Sequence, residues 1–355
     1  MSISNARCEV RNRNDARISS LQVSFPASAE SFGGREAGHR EESVRAFIFP
    51  GQGSQLVGMG KAFAEAFATA REVFEEVDDA LGQRLSRVMW EGPPLDLELT
   101  ENTQPAIVAH SMAIVRVLQR DAGLDLARHA RLAAGHSLGE YSALCAAGAF
   151  TLADTARLVR IRGQAMQAAA PVGSGGMTAL LGISIDDAAK IVDEAGGAGV
   201  IVIANDNAPG QVVISGETAA LDRAAEIAKS KGAKRAIPLP VSTPNHSPLL
   251  KSAGEAMREA LEQVVIRPPA VPVVSNVTAA EVSEPETIRR LLVEQITSRV
   301  RWRETVSGFR ALGVSTTVEA GGGKVLTGMV RRIDPELATV SIDSPKDIET
   351  FATTL

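Results

Sequence analysis

The sequence predicts an α/β protein: a core built on a short parallel sheet flanked by helices, with a smaller subdomain inserted into it. Three observations predict this. From Arg45 onward, short apolar runs alternate with amphipathic stretches, the pattern of layered strands and helices. The run Ala133-Ala134-Gly135-His136-Ser137-Leu138-Gly139-Glu140-Tyr141 sets a serine between two glycines at a strand-to-helix junction. Beyond Pro171-Val172-Gly173-Ser174-Gly175-Gly176, the order of elements changes to βαββαβ, the ferredoxin-like split motif.

Taken in order, Ala46 to Phe49 is a buried strand broken by Pro50-Gly51-Gln52-Gly53, and helical patterns follow at about 57–81 and 104–120. Leu132 to Ala134 is the strand entering the serine turn, and two helices run over about 138–147 and 152–169. The insertion reads as strand 177–183, helix 186–195, strands 200–204 and 211–215, helix 218–231 and strand 233–239. The core resumes at Pro240 with helices near 248–263, 286–298 and 302–312, strand 316–319, helix 323–332, strand 338–342 and a last helix. This assigns 45–171 and 239–355 to a hydrolase-like core and 172–238 to the ferredoxin-like insertion. Residues 1–44 are rich in Ser, Arg, Asn and Glu without apolar periodicity and are expected to be a disordered extension. Their six arginines would suit a transit peptide, but six acidic residues count against one. A natural start inside this stretch is the other reading.

Bulk properties narrow the function. A net charge of -5 argues against generic nucleic-acid binding. No apolar run approaches the roughly 18 residues that a spanning helix needs, so no membrane role is expected. Cys8 and Cys145 lie in contexts that suggest neither a disulfide nor a metal site, which fits a reducing cytoplasm.

The serine turn carries the chemistry. Ser137 would be held at a strained backbone angle, and side chains at 135 and 139 would collide with neighbouring backbone. It should open a helix, whose first amides, near Leu138, could stabilise an oxyanion. Gln52, just past a strand end, offers a second amide. A serine hydroxyl is a poor nucleophile and needs a base, and there are five histidines to test. His39 lies in the leader, His129 in a charged turn and His110 on a packed helix. His136 precedes the serine directly and should point to the opposite side. Elimination leaves His246, on the proline-stiffened loop Val241-Ser242-Thr243-Pro244-Asn245-His246-Ser247-Pro248, as the base, with a structural role as its alternative. Arg162 lies at the edge of an apolar helix face marked by Ala156, Val159 and Met166, and such a cation requires an anion. That anion is either a nearby carboxylate or the free carboxylate of the acyl substrate, gripped bidentately. Neither Gly51-Gln52-Gly53 nor Gly321-Gly322-Gly323-Lys324-Val325 has the spacing of a nucleotide-binding loop.

Phe49-Pro50-Gly51-Gln52-Gly53-Ser54-Gln55, Thr103-Gln104-Pro105-Ala106, Gly135-His136-Ser137-Leu138-Gly139-Glu140-Tyr141, Arg162-Gly163 and Gly321-Gly322-Gly323-Lys324-Val325-Leu326 together resemble the malonyl-CoA:acyl carrier protein transacylases, over about 45–342. The resemblance implies Ser137 as nucleophile, His246 as base, Arg162 on the malonate carboxylate, and the amides of Gln52 and Leu138 as oxyanion hole. It places Gln295 where a main-chain carbonyl orients the histidine, and Asn207 on the groove between subdomains. It implies malonyl-CoA as donor, CoA as product and acyl carrier protein as acceptor, with no metal and no tightly bound cofactor, in a cytoplasmic monomer. The acidic carrier would meet a basic surface such as Lys231, Lys234, Arg235 and Lys251. Three departures stand out: Gly322 in place of proline, which should loosen that turn; Ser298-Arg299 in place of Asn-Pro; and Asn245 at a position associated with acyl selectivity, which leaves methylmalonyl selectivity open. A serine esterase is the rival enzyme, although no triad acid is evident. A patatin-like lipase would need an Asp-Gly pair, which the chain lacks. A non-catalytic docking homologue would have lost Ser137, His246 or Arg162.

Overall fold

The computed structural model describes residues 44–171, 173–241 and 243–355. The expected disordered extension therefore falls outside the described residues, save for Val44. Two sheets organise the chain. The first runs β10 (Ala338–Ile342), β9 (Thr316–Ala320), β1 (Arg45–Phe49), β2 (Leu132–Gly135), β7 (Val273–Val274), β8 (Glu281–Val282). It is parallel from β10 through β7, and only the edge strand β8 is antiparallel. Both of its faces are buried. Phe47 and Phe49 point into one apolar cluster, and Ala46 and Ile48 into the other, which also holds Trp302, Val306 and Phe309. That two-sided burial is why β1 reads as a continuous apolar run.

The second sheet is antiparallel, ordered β4 (Ile201–Ala208), β5 (Gln211–Glu217), β3 (Gly175–Leu181), β6 (Arg235–Pro238). Helices Ile185–Ala195 and Thr218–Ser230 pack on it around Leu180, Ile191, Ile214 and Ala224. The sheets are tied together at β4. Asn205 bridges Val300, with Asp206 N donating to Val300 O at 3.0 Å and Val300 N donating to Ala204 O at 2.8 Å. The buried Asp206 carboxylate takes a forked pair of hydrogen bonds from Arg303.

Elsewhere the elements depart from the periodicity at recognisable points. The pattern expected over 57–81 divides at Phe67, which is extended, into helices Lys61–Ala66 and Ala68–Leu81. The helix expected from 104 begins at Thr100 and runs to Arg120 with Pro105 inside its second turn. Strands β7 and β8 are two residues each, too short for any period to register.

Candidate active site

The serine turn is built by close backbone packing. A Cβ on Gly135 would lie 1.9 Å from Gly139 O, and one on Gly139 would lie 2.2 Å from Phe49 O. The end of β2, the end of β1 and the start of helix Gly139–Ala146 therefore meet with no room for a side chain. Ser137, between them, has φ 52°, in the left-handed region. Asn276 clamps this junction from both sides: its Oδ1 accepts from Ser137 N at 2.6 Å, and its Nδ2 donates to Gly135 O at 2.6 Å.

His246 arrives from the loop after β6, also in the left-handed region with φ 59°. Its Nε2 lies 2.8 Å from Ser137 Oγ, and its Nδ1 lies 2.9 Å from Gln295 O at the end of helix Pro285–Gln295. A backbone carbonyl can only accept, so Nδ1 carries the proton and Nε2 is the free acceptor facing the hydroxyl. Burial, and then the Arg162 charge, depress the His246 pKa to about 3, leaving a neutral imidazole at physiological pH.

Arg162 is 1% exposed, deep in helix Leu152–Ala169. Gly163 lets that helix reach its neighbour, since a Cβ there would lie 2.7 Å from Glu101 Cα. The guanidinium donates from Nη1 to Gln104 Oε1 at 2.8 Å, and from Nη2 to Gln295 Oε1 at 3.0 Å and to Ser137 Oγ at 3.1 Å. All three partners are neutral. Of the two anions open from sequence, the adjacent protein carboxylate is not among its hydrogen-bond partners in the described residues. The Glu140 carboxylate stands one amide further off, across Gln295, so the guanidinium is hydrogen-bonded to neutral groups alone and has the chemistry to take an incoming anion.

Gln52, Ser137, Leu138, Arg162, Met166, Asn207 and His246 line one cleft of about 150 Å³ between the two sheets, and Gln295 backs it from the buried side. Met166 Sδ takes a weak hydrogen bond from Gln104 Nε2, and Gln52 Nε2 contacts Thr100 Oγ1 at 3.4 Å. His136 faces the cleft as well, rather than turning away from it. Its Nε2 lies 2.7 Å from Asn207 Oδ1 and its ring stands edge-on to Trp302, which commits it to joining the two sheets. His110 is buried with neither ring nitrogen hydrogen-bonded among the described residues, and burial lowers its pKa to about 4.

Several participants escaped the sequence reading. Gln104 and Glu140 entered only as members of the motifs that carry the resemblance, Asn276 not at all, and Gln295 was expected to contribute its main-chain carbonyl. Its side chain also donates to Ser137 O at 3.0 Å and to Glu140 Oε2 at 2.7 Å. The signal for Glu140 was the lone charged residue in a helix, Gly139–Ala146, that is otherwise uncharged and proves buried throughout. The glycine run at 321–323 is no anion site, because Glu319 already caps the next helix, accepting from Leu326 N and Thr327 N. Gly322 is packed rather than loose, since a Cβ on it would lie 2.8 Å from Ser54 O. Asn245 is buried at the cleft wall and accepts from Thr243 Oγ1 at 2.6 Å. Among the basic residues considered for docking, Lys231 is ion-paired with Glu194, whereas Lys234 and Arg235 line a shallow groove on the insertion. Among the described residues no helix is long and apolar enough to cross a membrane.

Comparison with known proteins gives the family. Residues 46–333 match the acyl transferase domain family. A malonyl CoA-acyl carrier protein transacylase from Bacillus subtilis is 43% identical over 311 residues, spanning 87% of this chain and 96% of the relative. The crystal structure of an acyl-carrier-protein S-malonyltransferase from Bartonella henselae superposes with a TM-score of 0.86 at 52% identity, covering 87% of this chain and 98% of that one. A type II PKS acyl-carrier protein in complex with its malonyl-transacylase gives a TM-score of 0.85 at 40% identity over 88% of this chain and all of the other. An oriented serine-histidine pair beneath a buried arginine, together with similarity across nearly the full length of these relatives, shows that the chain belongs to the acyl transferase domain family, among the malonyl CoA-acyl carrier protein transacylases.

Proposed function

We propose that this acyltransferase moves a malonyl group from malonyl-CoA to the phosphopantetheine thiol of an acyl carrier protein, through a malonyl ester on Ser137 in a ping-pong cycle. His246 takes the hydroxyl proton at Nε2 as Oγ attacks the thioester carbonyl, and returns it to the departing CoA sulfur. The backbone amides of Gln52 and Leu138 hold the oxyanion. The carrier thiol then reverses these steps, and His246 serves again. Gln295 O, in place of a carboxylate, keeps the imidazole in the required tautomer. The Nη2 hydrogen now directed at Ser137 Oγ passes to the acyl carboxylate once that oxygen is esterified, so Arg162 selects acyl groups that end in an acid. The observation that carries the reading is the position of one hydroxyl, 2.8 Å from a neutral imidazole and 3.1 Å from a buried guanidinium.

The same reading takes 45–171 and 239–355 as a hydrolase-like core, 172–238 as a ferredoxin-like insertion and 1–44 as an extension. The strand order β4-β5-β3-β6 supports the second of these. It includes a cytoplasmic monomer without a tightly bound cofactor, met by its carrier at a basic surface. The test is intact-protein mass after mixing with malonyl-, methylmalonyl- or acetyl-CoA, with Ser137→Ala as control. One malonyl group should add to the wild type and none to the variant; equal loading of both, or of neither, would overturn the assignment.

A further inference from the structure

Arg162 and Glu140 are the buried cation and the buried carboxylate behind the reactive serine, and Gln295 joins them. The Gln295 amide donates through Nε2 to Glu140 Oε2 and accepts through Oε1 from Arg162 Nη2. Glu140 Oε2 also accepts from Asn276 N at 3.1 Å, and the same Asn276 grips Ser137 N. Glu140 is 2% exposed and makes no ion pair among the described residues, so Arg162 is the charge that balances it across the amide. An acyl carboxylate arriving at Arg162 would bring a second anion to this single buried cation. Two carboxylates cannot share one such charge at full ionisation in a dry site.

We propose that Glu140 is the resident counter-charge of Arg162, and that it takes up a proton from solvent when the acyl carboxylate arrives and gives it back when the acyl group leaves on the carrier. The proposal rests on Arg162 being the carboxylate receptor. The bond formed is O–H on Glu140; no other covalent change accompanies it, and the net charge behind the serine stays constant through the cycle.

The surroundings of Glu140 agree. Burial raises its carboxyl to about 7, against the hydrogen bonds from Gln295 and Asn276 and the Arg162 charge, all of which lower it. Arg162 is the charged group that faces it, from helix Leu152–Ala169. Tyr141 follows it on its own helix and is pushed upward by burial. His246 feels Arg162 across the Ser137 hydroxyl that both contact. Among the described residues, the hydrogen-bond partner that helix Thr100–Arg120 brings to Arg162 is the neutral Gln104, and its Arg116 acts on Cys145, further along Gly139–Ala146, the elbow helix that follows Ser137. A carboxyl poised near neutrality can therefore exchange its proton for the substrate's charge.

The test is stopped-flow loading with excess malonyl-CoA in weak buffer containing a pH indicator, with the ester counted in parallel by intact mass. Wild type should take up about half a proton per ester at pH 7 and almost none at pH 5.5, as a group titrating near 7 requires. Glu140→Gln keeps an oxygen acceptor for Gln295 and Asn276 but no charge. It should take up none, and its kcat/KM for malonyl-CoA should be about tenfold above wild type at pH 8 and equal to it at pH 6. Should that variant fail to fold, infrared difference spectra of wild type loaded with carbon-13 malonyl-CoA, which moves the ester band aside, should show a new protonated-carboxyl band. Loading without proton uptake or that band, or uptake that persists in Glu140→Gln, overturns the proposal. Absence of the ester would instead overturn the proposed function.

Discussion

Gly135→Ala adds one methyl group at the point where β2 meets the elbow helix. The new carbon would lie 1.9 Å from Gly139 O, 2.0 Å from Gly139 C and 2.4 Å from Glu140 N. All three are backbone atoms, so no side chain can swing aside. To reach a 3.0 Å separation the elbow must open by about 1 Å, and the strain of such overpacking is typically about 1 to 3 kcal/mol. The same displacement shifts Ser137 Oγ from His246 Nε2, and a misplacement of about 1 Å costs roughly 10²-fold in rate. Gly254→Ala provides the control. Its Cβ would meet only Val293 O at 3.8 Å, so within helix Lys251–Glu262 it should stabilise by about 0.5 to 1 kcal/mol and leave loading unchanged. The assay is the rate of malonyl-enzyme formation by quenched-flow mass measurement, with urea unfolding in parallel. Loading by Gly135→Ala within threefold of wild type would refute the argument that backbone contact sets the nucleophile.

Other outcomes follow from the same geometry. Arg162→Ala should lower kcat/KM for malonyl-CoA by about 10²-fold, through loss of about 3 kcal/mol of charge-assisted hydrogen bonding, and narrow the preference over acetyl-CoA; equal selectivity in donor competition would contradict its role. Because His246 is held down to about 3, loading by Glu140→Gln, which lacks the other group titrating in this range, should stay level when the pH drops from 7.5 to 5.5, whereas a base near the ordinary 6.5 would lose about tenfold. Glu140, raised from 4.5 to about 7, makes the unfolded chain the first to release its proton as pH rises. Its contribution to stability is therefore full below pH 4.5, declines up to pH 7 and is flat beyond, by about 3 kcal/mol at most. Urea unfolding of Glu140→Gln should lack that decline.

What the sequence revealed divides along the range of the interaction. The elbow was legible because its constraint is local: glycines two residues either side of Ser137, a short strand before it and a helix after it. His246 was reachable by elimination because few imidazoles compete. Arg162 could be identified, but its setting could not, because its neutral hydrogen-bond partners come from Gln104, 58 residues away, and Gln295, 133 residues away. Asn276 was invisible for the same reason. It substitutes for ladder hydrogen bonds at an elbow 139 residues earlier in the chain, and nothing in its own neighbourhood marks it. The strands and helices between Gly175 and Pro238 were legible from alternation and helical period, whereas β7, two residues long, has no period to detect. His136 was misjudged because the turn at Ser137 breaks the extended alternation on which the opposite-face argument depends.

The proposed cycle turns on Ser137 itself carrying the acyl group. Peptide mapping by tandem mass spectrometry of enzyme quenched in acid after mixing with malonyl-CoA locates the adduct directly. A malonyl group on the serine of the Gly135–Gly139 peptide is the expected result, and a malonyl group on any other residue, or no adduct while transfer to carrier protein proceeds, would contradict it.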